Sequence, residues 1–322
     1  MQRQLGDPSS AFGVQFTLGI CAYTELESVV GIVEKTLPEI SESSQVVVVT
    51  PSKEIAEVLA GTPSVYVVLE SAREGKTAAM NKLLRAVSGG VLVYASGDIA
   101  LNHGTVRALV NELVSTPLCG AVIGHAVVAN RLDGVMGRVG SLIWGVFNRV
   151  SQKLDEESKL AQPNDLFAVR RDAVDFIPDG VVNDDTYLMM SVKRKGLLVR
   201  KTTVPFYISG PSTPVDYIVQ RSRITLGHLQ TIQMLNTAPT IFQFSAIRNM
   251  GTFVKAVSGE GPWGVVAALT ALPLELFSWA WGGLTALMGR KVTIWTQAVG
   301  TKNVLDYLND RLTPPRIGSE PS

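Results

Sequence analysis

From residue 12 to about residue 124 the chain alternates short apolar runs with segments of helical periodicity. The apolar runs that predict strands are 14–22, 45–50, 64–69, 91–95 and 118–128. The segments between them that space apolar residues as helices do are 25–37, 53–60, 76–87 and 103–114. The run Val46-Val47-Val48-Val49 has no polar alternation, which is typical of strands that helices cover on both faces. The pattern therefore predicts an α/β domain with a mostly parallel sheet.

The second half of the chain continues with longer helical patterns. Helices are predicted at 137–154, 184–195 and 214–235, and strands at 164–169 and 196–203. Segment 239–257 mixes apolar residues with two basic ones, which fits an interfacial amphipathic helix and a core helix about equally well. We therefore divide the chain into an α/β domain over 1–235, a helical region over 236–312 and a disordered, proline-containing tail over 313–322.

Residues 263–288 form the most apolar part of the helical region. Glu275 is the only charged residue in this stretch, and Arg290 and Lys291 follow it. About 20 apolar residues are enough to cross a bilayer. Pro273 would kink such a helix and a carboxylate at mid-bilayer is costly, so a re-entrant element and a buried soluble helix pair are alternatives. We predict a membrane-embedded segment here.

Composition supports contact with a bilayer and excludes another class of partner. The chain is 46% hydrophobic and 18% charged, with a mean hydropathy of +0.22, which is apolar for a soluble enzyme. Its 29 Lys and Arg balance 28 Asp and Glu, so no cationic field for nucleic acid is expected. Residues 1–10 are polar and contain no signal-peptide pattern, so we expect the bulk of the chain in the cytoplasm. Cys21 and Cys119 are predicted to be buried thiols.

Candidate chemistry follows the predicted strands, because ligands bind beyond the carboxyl ends of such sheets. The first strand ends in Ala22-Tyr23-Thr24-Glu25, where an aromatic ring and a carboxylate can hold a nucleoside. A helix cap, with Thr24 at the start of a helix and Glu27 three residues later, explains the same fragment without any ligand.

Two further strand ends carry charged residues. After the third strand, Gly75 opens a helix, and Lys76 with Arg73 can meet a diphosphate. The fourth strand ends in Ser96-Gly97-Asp98, where the carboxylate is well placed to bind a divalent cation that bridges two phosphates. Asp98 could instead cap the following helix.

Other candidate residues lie on predicted helices. Asp184 and Asp185 begin a helix, a position that the helix dipole favours with or without a function. Gln220 and Arg223 are three residues apart and share one helical face. For the histidines His125 and His228 we expect structural roles.

Taken in order, these fragments resemble the family-2 glycosyltransferases with a GT-A fold, including members with membrane-associated C-terminal helices. The resemblance runs from about residue 16 to residue 230. The family's GK-x-x-A-x-N, D-x-D, E-D and Q-x-x-R-W motifs correspond here to Gly75-Lys76-Thr77-Ala78-Ala79-Met80-Asn81, Ser96-Gly97-Asp98, Asp184-Asp185 and Gln220-x-x-Arg223.

The resemblance implies an inverting, metal-dependent glycosyltransferase that moves a sugar from a nucleoside diphosphate to an acceptor hydroxyl. It implies Mg²⁺ or Mn²⁺ at Asp98 and Asp185 as the general base, with Asp184 beside it. The donor-binding residues that it implies are Ala22, Tyr23, Glu25, Lys76, Asn81, Gly97, Asp98, Gln220 and Arg223. The expected partners are a nucleotide sugar, a glycan or lipid-linked acceptor and the cell membrane, with the catalytic domain, 1–235, facing the cytoplasm.

Three departures from the family pattern and two rival functions bear on this interpretation. Thr50-Pro51 stands where many members carry an acidic pair after the second strand, so the identity of the base, and thus of the donor, stays open. Ser96 replaces the first Asp of the D-x-D, so metal binding would depend on Asp98 and the phosphates. Ile224 replaces the usual Trp, which argues against a processive polymer synthase. A sugar-phosphate nucleotidyltransferase would need a glycine-rich loop after the first strand, which the chain lacks. A non-catalytic, membrane-bound nucleotide-sugar-binding protein would fit Ser96.

Overall fold

The structure, a computed structural model, describes residues 15–41, 43–130, 132, 134–236, 248–288, 304, 305 and 308. Its strands are β1 (Phe16–Cys21), β2 (Gln45–Thr50), β3 (Val65–Leu69), β4 (Val91–Ser96), β5 (Ile99–Leu101), β6 (Cys119–Val128), β7 (Leu166–Arg170) and β8 (Leu198–Ile208). Its helices are α1 (Leu26–Thr36), α2 (Lys53–Leu59), α3 (Lys76–Ala86), α4 (Thr105–Ser115), α5 (Val135–Glu156), α6 (Asp184–Arg194), α7 (Pro214–Leu235), α8 (Met250–Gly259) and α9 (Pro262–Leu287).

The eight strands form one sheet in the order β3-β2-β1-β4-β7-β6-β8-β5. Strands β1 to β4 pair in parallel with one another, and β6 pairs in parallel with β8. Strands β7 and β5 run against their neighbours. The predicted α/β class and the mostly parallel sheet are therefore confirmed. Because six strands point the same way, their carboxyl ends meet at one edge, and β5 and β7 begin at that edge.

Helices cover both faces of the sheet, as the unbroken valine run of β2 predicts. Val46 and Val48 pack with apolar residues of α1, α2 and α4 on one face. Val47 and Val49 pack with residues of α3 and α6 on the other face. Each face of the strand is thus buried, and each face contributes its own apolar core.

Most predicted elements match the structure, with two differences. Strand β5 was not predicted, because three residues are too short to give a pattern. Strand β8 runs through Pro205 to Ile208, whereas the pattern predicts an end at 203. Pro205 is accommodated where the pairing of β6 with β8 shifts register between Ile123 and His125, since a bulge does not need the missing N–H.

The C-terminal predictions are described only in part. Within segment 239–257 residue 248 is helical and α8 begins at Met250, while 237–247 and the tail at 313–322 lie outside the described residues. The domain division at residue 235 stays a prediction. Helix α9 covers the apolar stretch as one helix with Pro273 inside it, and it is long and apolar enough to cross a membrane.

The two faces of α9 have side chains of different size and polarity, and the larger apolar ones are exposed. The face that packs on the rest of the chain carries small or polar residues: Gly264, Ala267, Ala271, Glu275, Ser278 and Gly282. The exposed face carries large apolar residues: Trp263, Val265, Val266, Leu269, Leu272, Leu276, Phe277, Trp281, Leu284 and Leu287. A helix of a water-soluble protein usually has the opposite arrangement. We call the second set the outward face of α9.

Helix α9 is docked by polar and close-packed contacts to α7. The Glu275 carboxylate accepts a hydrogen bond from the Tyr217 hydroxyl at 2.7 Å and pairs with the Arg221 guanidinium at 2.6 Å. A Cβ at Gly282 would lie 2.7 Å from the backbone oxygen of Ser222, so only glycine allows this approach. Because Glu275 is paired inside the protein, the carboxylate that weakened the membrane prediction does not face outward.

Candidate functional site

A polar cleft opens at the edge of the sheet where the parallel strands end. It brings together all the predicted site residues except Asn81. Those that line it are Ala22, Tyr23, Glu25, Lys76, Gly97, Asp98, Asp184, Asp185, Gln220 and Arg223. Residues up to 201 positions apart in the sequence, from Ala22 to Arg223, therefore form one site.

The turn after β1 is held by a buried carboxylate. Glu25 Oε2 accepts hydrogen bonds from the backbone N–H groups of Tyr23, at 2.6 Å, and Thr24, at 3.0 Å. No side-chain cap starts α1, so the cap by Thr24 that the sequence allowed is not formed. The Arg73 guanidinium lies 4.5 Å from the centre of the Tyr23 ring. The Tyr23 ring of this turn and the Arg73 cation, which comes from the segment after β3, therefore line the cleft side by side.

Gly97 joins the turn after β1 to the turn after β4. Its N–H donates to the Cys21 carbonyl oxygen at 2.9 Å, and a Cβ on Gly97 would lie 2.8 Å from the Ala22 Cβ. A larger residue would separate the two turns. Glycine at this position therefore keeps Asp98 beside the turn that carries Tyr23.

The structure gives the two helix-start carboxylates different environments. Asp184 is buried, and its carboxylate lies 3.7 Å from Lys76 Nζ. Burial raises the pKa of Asp184, and Lys76 partly offsets this rise. Burial alone would lower the pKa of Lys76, but Asp184 and other nearby carboxylates hold it well above its usual value. Asp185 is half-buried and lines the cleft, so it is the accessible member of the pair.

Helix α7 adds polar groups from the opposite wall. Gln220 and Arg223 both line the cleft, and Arg223 Nε is buried without a hydrogen-bond partner among the described residues. The Asn183 amide donates to the Ile224 carbonyl oxygen at 3.2 Å and packs directly over Gly227, where a Cβ would overlap it. These contacts fix the start of α6 against α7, so the carboxylates and Arg223 keep their relative position.

Asn81 is the one predicted donor-binding residue that the structure places elsewhere. Its Nδ2 donates to the Ile177 carbonyl oxygen at 2.8 Å, and its Oδ1 accepts from the Ile177 N–H at 2.9 Å. Both ends of the amide are thus used to hold the loop before α6. Asn81 is absent from the cleft lining and its polar atoms are engaged, so its predicted contact with the donor gains no support from this geometry and stays a prediction.

Sequence reasoning missed several residues that line the cleft. Glu70 follows β3 directly, and the rule that selected Asp98 would have found it; it pairs with Lys82 at 2.7 Å. Asp165 precedes β7 and Ser209 follows β8. Burial and the nearby Asp98 carboxylate raise the pKa of Asp165 to about 6. Trp144 of α5 forms part of an apolar wall.

The histidines and cysteines for which no role in the site was predicted mostly lie outside the cleft. Neither His125 nor His228 lines it, and burial lowers the pKa of each to about 4, so both are neutral at pH 7. Cys119 is buried, as predicted, but Cys21 is half-buried and lines the cleft, because it is the last residue of β1. Burial raises the pKa of both thiols, so neither is a reactive thiolate.

The donor set of the cleft suits a hard cation that a ligand helps to bind. Asp98 and Asp165 offer carboxylate oxygens, which Mg²⁺ and Mn²⁺ prefer. Within the described ranges no group of three or more His, Cys, Asp or Glu residues could by itself hold a metal. A cation here would therefore take further oxygen ligands from phosphates, which is the usual arrangement for Mg²⁺.

No family model and no curated protein matches the chain. Its structure is similar to a mannosyltransferase from Pyrobaculum calidifontis in complex with GDP-mannose and Mn²⁺, with a TM-score of 0.62 at 18% identity over 88% of this chain and 89% of that one. It is also similar to glucosyl-3-phosphoglycerate synthase from Mycobacterium tuberculosis in complex with Mn²⁺, UDP and glucosyl-3-phosphoglycerate, with a TM-score of 0.52 at 19% identity over 71% and 84% of the chains. The same enzyme with Mg²⁺ and UDP gives a TM-score of 0.50 at 18% identity over 72% and 84%. These likenesses establish that the chain has the GT-A fold.

Proposed function

We propose that this chain is a metal-dependent, inverting glycosyltransferase that moves a sugar from a nucleoside diphosphate to an acceptor hydroxyl at a membrane. The single observation that carries the proposal is that Asp98 and Asp185, predicted from separate motifs, line one cleft together with Arg223. The GT-A fold, which the similar glycosyltransferases share, supports the same function.

Each side of the cleft suits one part of the donor. Tyr23, in the turn after β1, and Arg73, in the segment after β3, offer a ring and a cation for the nucleoside end. Lys76 and Arg223 offer positive charge where the leaving diphosphate gathers negative charge, and such fixed charges are usually the largest contribution to catalysis. A divalent cation held by Asp98 would supply further charge stabilisation to that diphosphate when bound.

Asp185 is the residue that we assign as general base. It is the half-buried, cleft-lining member of its pair, so an acceptor hydroxyl can approach it. Asp185 would take the proton of the acceptor hydroxyl as the hydroxyl oxygen attacks the anomeric carbon from the side opposite the diphosphate. The bond from that carbon to the diphosphate breaks as the new bond forms, so this single displacement inverts the configuration. Asp184, paired with Lys76, positions that lysine and the start of α6.

The outward face of α9 supports membrane association. In lipid, helices pack through small residues and polar groups and expose large apolar side chains, which is the pattern of α9. Because α9 is docked along α7 and α5, a crossing helix would carry those helices into the hydrocarbon as well. We therefore propose that α9 lies in the membrane interface and that the catalytic domain faces the cytoplasm.

The acceptor that we propose is lipid-linked. Trp144 of α5 and Val219 of α7 form an apolar part of the cleft wall, and α9 packs on both of these helices. An acceptor whose apolar part stays in the bilayer could thus reach Asp185 along this wall. A glycan acceptor without a lipid would gain nothing from it.

The proposal is tested by incubating the purified full-length protein in nanodiscs with nucleotide sugars, Mn²⁺ and extracted lipids. We expect release of a nucleoside diphosphate together with a glycosylated lipid, and loss of both when the metal is chelated. The anomeric configuration of the product, read by NMR, should be opposite to that of the donor. Retention of configuration would contradict the role of Asp185.

A further inference from the structure

Strand β7, which pairs with β4, places the carboxylate of Asp165 beside Ser96, the position at which the chain lacks an acid. In the antiparallel pairing of β4 with β7, Ala95 is opposite Leu166, and the Ser96 N–H donates to the Asp165 carbonyl oxygen at 2.9 Å. Asp165 is therefore the cross-strand neighbour of Ser96. Ser96 is the residue that replaces an acid two positions before Asp98.

The side chains of this pair project from the face of the sheet that carries the other charged groups. Tyr94 and Phe167, two positions away on each strand, pack in a tilted contact at 5.0 Å between ring centres beneath α3 and α6. Because side chains alternate along a strand, Ser96 and Asp165 point to the same side as these rings. Lys76 and Asp184 begin the two helices on that side.

A second strand flanks Asp98 on its other side with an unpaired hydroxyl. Ile99 of β5 is opposite Ile208 of β8 in an antiparallel pair, so Ser209 is the neighbour of Asp98. Ser209 is 7% exposed, lines the cleft, and its Oγ has no hydrogen-bond partner among the described residues. A buried polar atom without a partner is costly unless a ligand or water satisfies it.

The Asp165 carboxylate is not used by the protein itself. It lines the cleft, and in the part of the chain that the structure describes it takes no hydrogen bond or ion pair. Two neighbouring carboxylates, Asp98 and Asp165, repel each other; Lys76 and Arg223 offset part of this repulsion, and a divalent cation between the carboxylates would offset the rest. The arrangement is thus typical of a metal site rather than of a structural ion pair.

We infer that Asp165 supplies the second carboxylate of the metal site, from the neighbouring strand, in place of the acid that Ser96 replaces. The inference rests on the proposed function, since it concerns the same cation. Asp98 and Asp165 would contact the ion from two strands, with the Ser209 hydroxyl beside them, and the diphosphate would complete the oxygen ligands.

Binding of Mn²⁺ tests the inference without any measurement of sugar transfer. The free Mn²⁺ signal in electron paramagnetic resonance is titrated with protein in the presence of UDP and, separately, GDP. We expect Asp98→Asn and Asp165→Asn each to weaken Mn²⁺ binding by about tenfold or more, because the charge of the ligands sets affinity for such ions. Asp172→Asn, an exposed acid just after β7, is the matched control and should bind as the wild type does.

A carboxylate exchange separates a lost ligand from a damaged fold. In the Ser96→Asp/Asp165→Asn double variant the acid returns to β4, and Mn²⁺ binding should recover to within a few-fold of the wild type. Thermal unfolding without metal should show a higher midpoint for Asp165→Asn than for the wild type, because the repulsion is gone, and a smaller rise on adding Mn²⁺ with nucleotide.

The outcomes distinguish this inference from the proposed function. If the wild type binds Mn²⁺ with a nucleotide and Asp98→Asn does not, but Asp165→Asn binds normally, the inference is overturned and the proposed function stands. If the wild type itself binds no Mn²⁺ with either nucleotide, the metal-dependent function is overturned, and the inference with it.

Discussion

The cleft and the outward face of α9 place charge and apolar surface in opposite ways. The cleft collects acids and bases on a concave surface above an apolar core, with Asp185 and Arg223 turned toward the open space. Helix α9 pairs its only charged residue, Glu275, inside the protein and turns leucines and tryptophans outward. Within one chain, the first arrangement suits a charged ligand in water, and the second suits hydrocarbon.

The two regions thus face different surroundings, and helix α7 contributes residues to both of them. Helix α7 carries Gln220 and Arg223 on the side of the cleft, and Tyr217 and Arg221 on the side of α9. Neighbouring positions of α7 therefore serve two purposes: some line the cleft and others hold α9. Variants at the cleft should change chemistry but leave membrane binding intact, and variants on the outward face should do the reverse.

The largest expected effect is on the rate of transfer. Asp185→Asn removes the proposed base but keeps the shape of the side chain, so kcat should fall about 10²- to 10⁴-fold, with donor binding unchanged. Nucleoside diphosphate release is the measurement, and recovery with the membrane fraction should stay as in the wild type. Asp172→Asn serves as control; a normal kcat in Asp185→Asn would remove the proposed mechanism.

The next effect tests the link between the two regions. Glu275→Leu leaves the Arg221 guanidinium buried without this carboxylate, and breaking such a pair typically costs about 3–5 kcal/mol in the free energy of unfolding. Denaturant unfolding in detergent measures the loss. The double variant Glu275→Leu/Arg221→Met should recover most of it, because no unpaired charge remains; equal losses in both variants would show that the pair itself is unimportant.

Polar substitutions on the outward face test the membrane side. The double variant Leu269→Lys/Leu276→Lys should weaken binding to liposomes by about 1,000-fold, since each leucine buried in lipid contributes about 2 kcal/mol and the two together about 4 kcal/mol. Its stability in detergent should change by less than about 0.5 kcal/mol. Val58→Lys, which removes an exposed apolar side chain on α2, is the control. Unchanged liposome binding by the double variant would place the membrane contact elsewhere.

The smallest effect concerns Asn81. Asn81→Ala removes two hydrogen bonds to the Ile177 backbone, so we expect a loss of about 1–3 kcal/mol in unfolding free energy. The KM for the nucleotide sugar should not rise once the protein is folded. A large rise in KM without a loss of stability would restore Asn81 to the donor site.

The sequence predicted the residues that follow parallel strands. Tyr23 and Asp98 could be found because strands with helical crossovers run the same way, so their carboxyl ends share an edge. Asp165 could not be found in this manner, because it precedes β7 instead of following a strand. The local sequence does not indicate that β7 runs antiparallel to β4, which is what brings the start of β7 to the same edge. The same limit hid Ser209, because its neighbour β5 is too short to give a pattern.

The apolar character of α9 was also visible in the sequence, but its orientation was not. Periodicity could not tell which side of the helix Glu275 faces, since its partner Arg221 lies 54 residues away. Asn81 shows the opposite case. A family motif suggested a ligand contact, whereas its amide is engaged by the backbone of Ile177, 96 residues away.

The assignment of the cleft as a nucleotide-sugar site is tested by measuring whether nucleotide sugars bind and whether that binding depends on a divalent cation. Thermal unfolding of the full-length protein is followed with a panel of UDP- and GDP-sugars, with and without Mn²⁺ or Mg²⁺. At least one nucleotide sugar should raise the unfolding midpoint only when the cation is present, because a ligand that binds only the folded state stabilises it by mass action. If no member of the panel raises the midpoint with either cation, the cleft is not a nucleotide-sugar site.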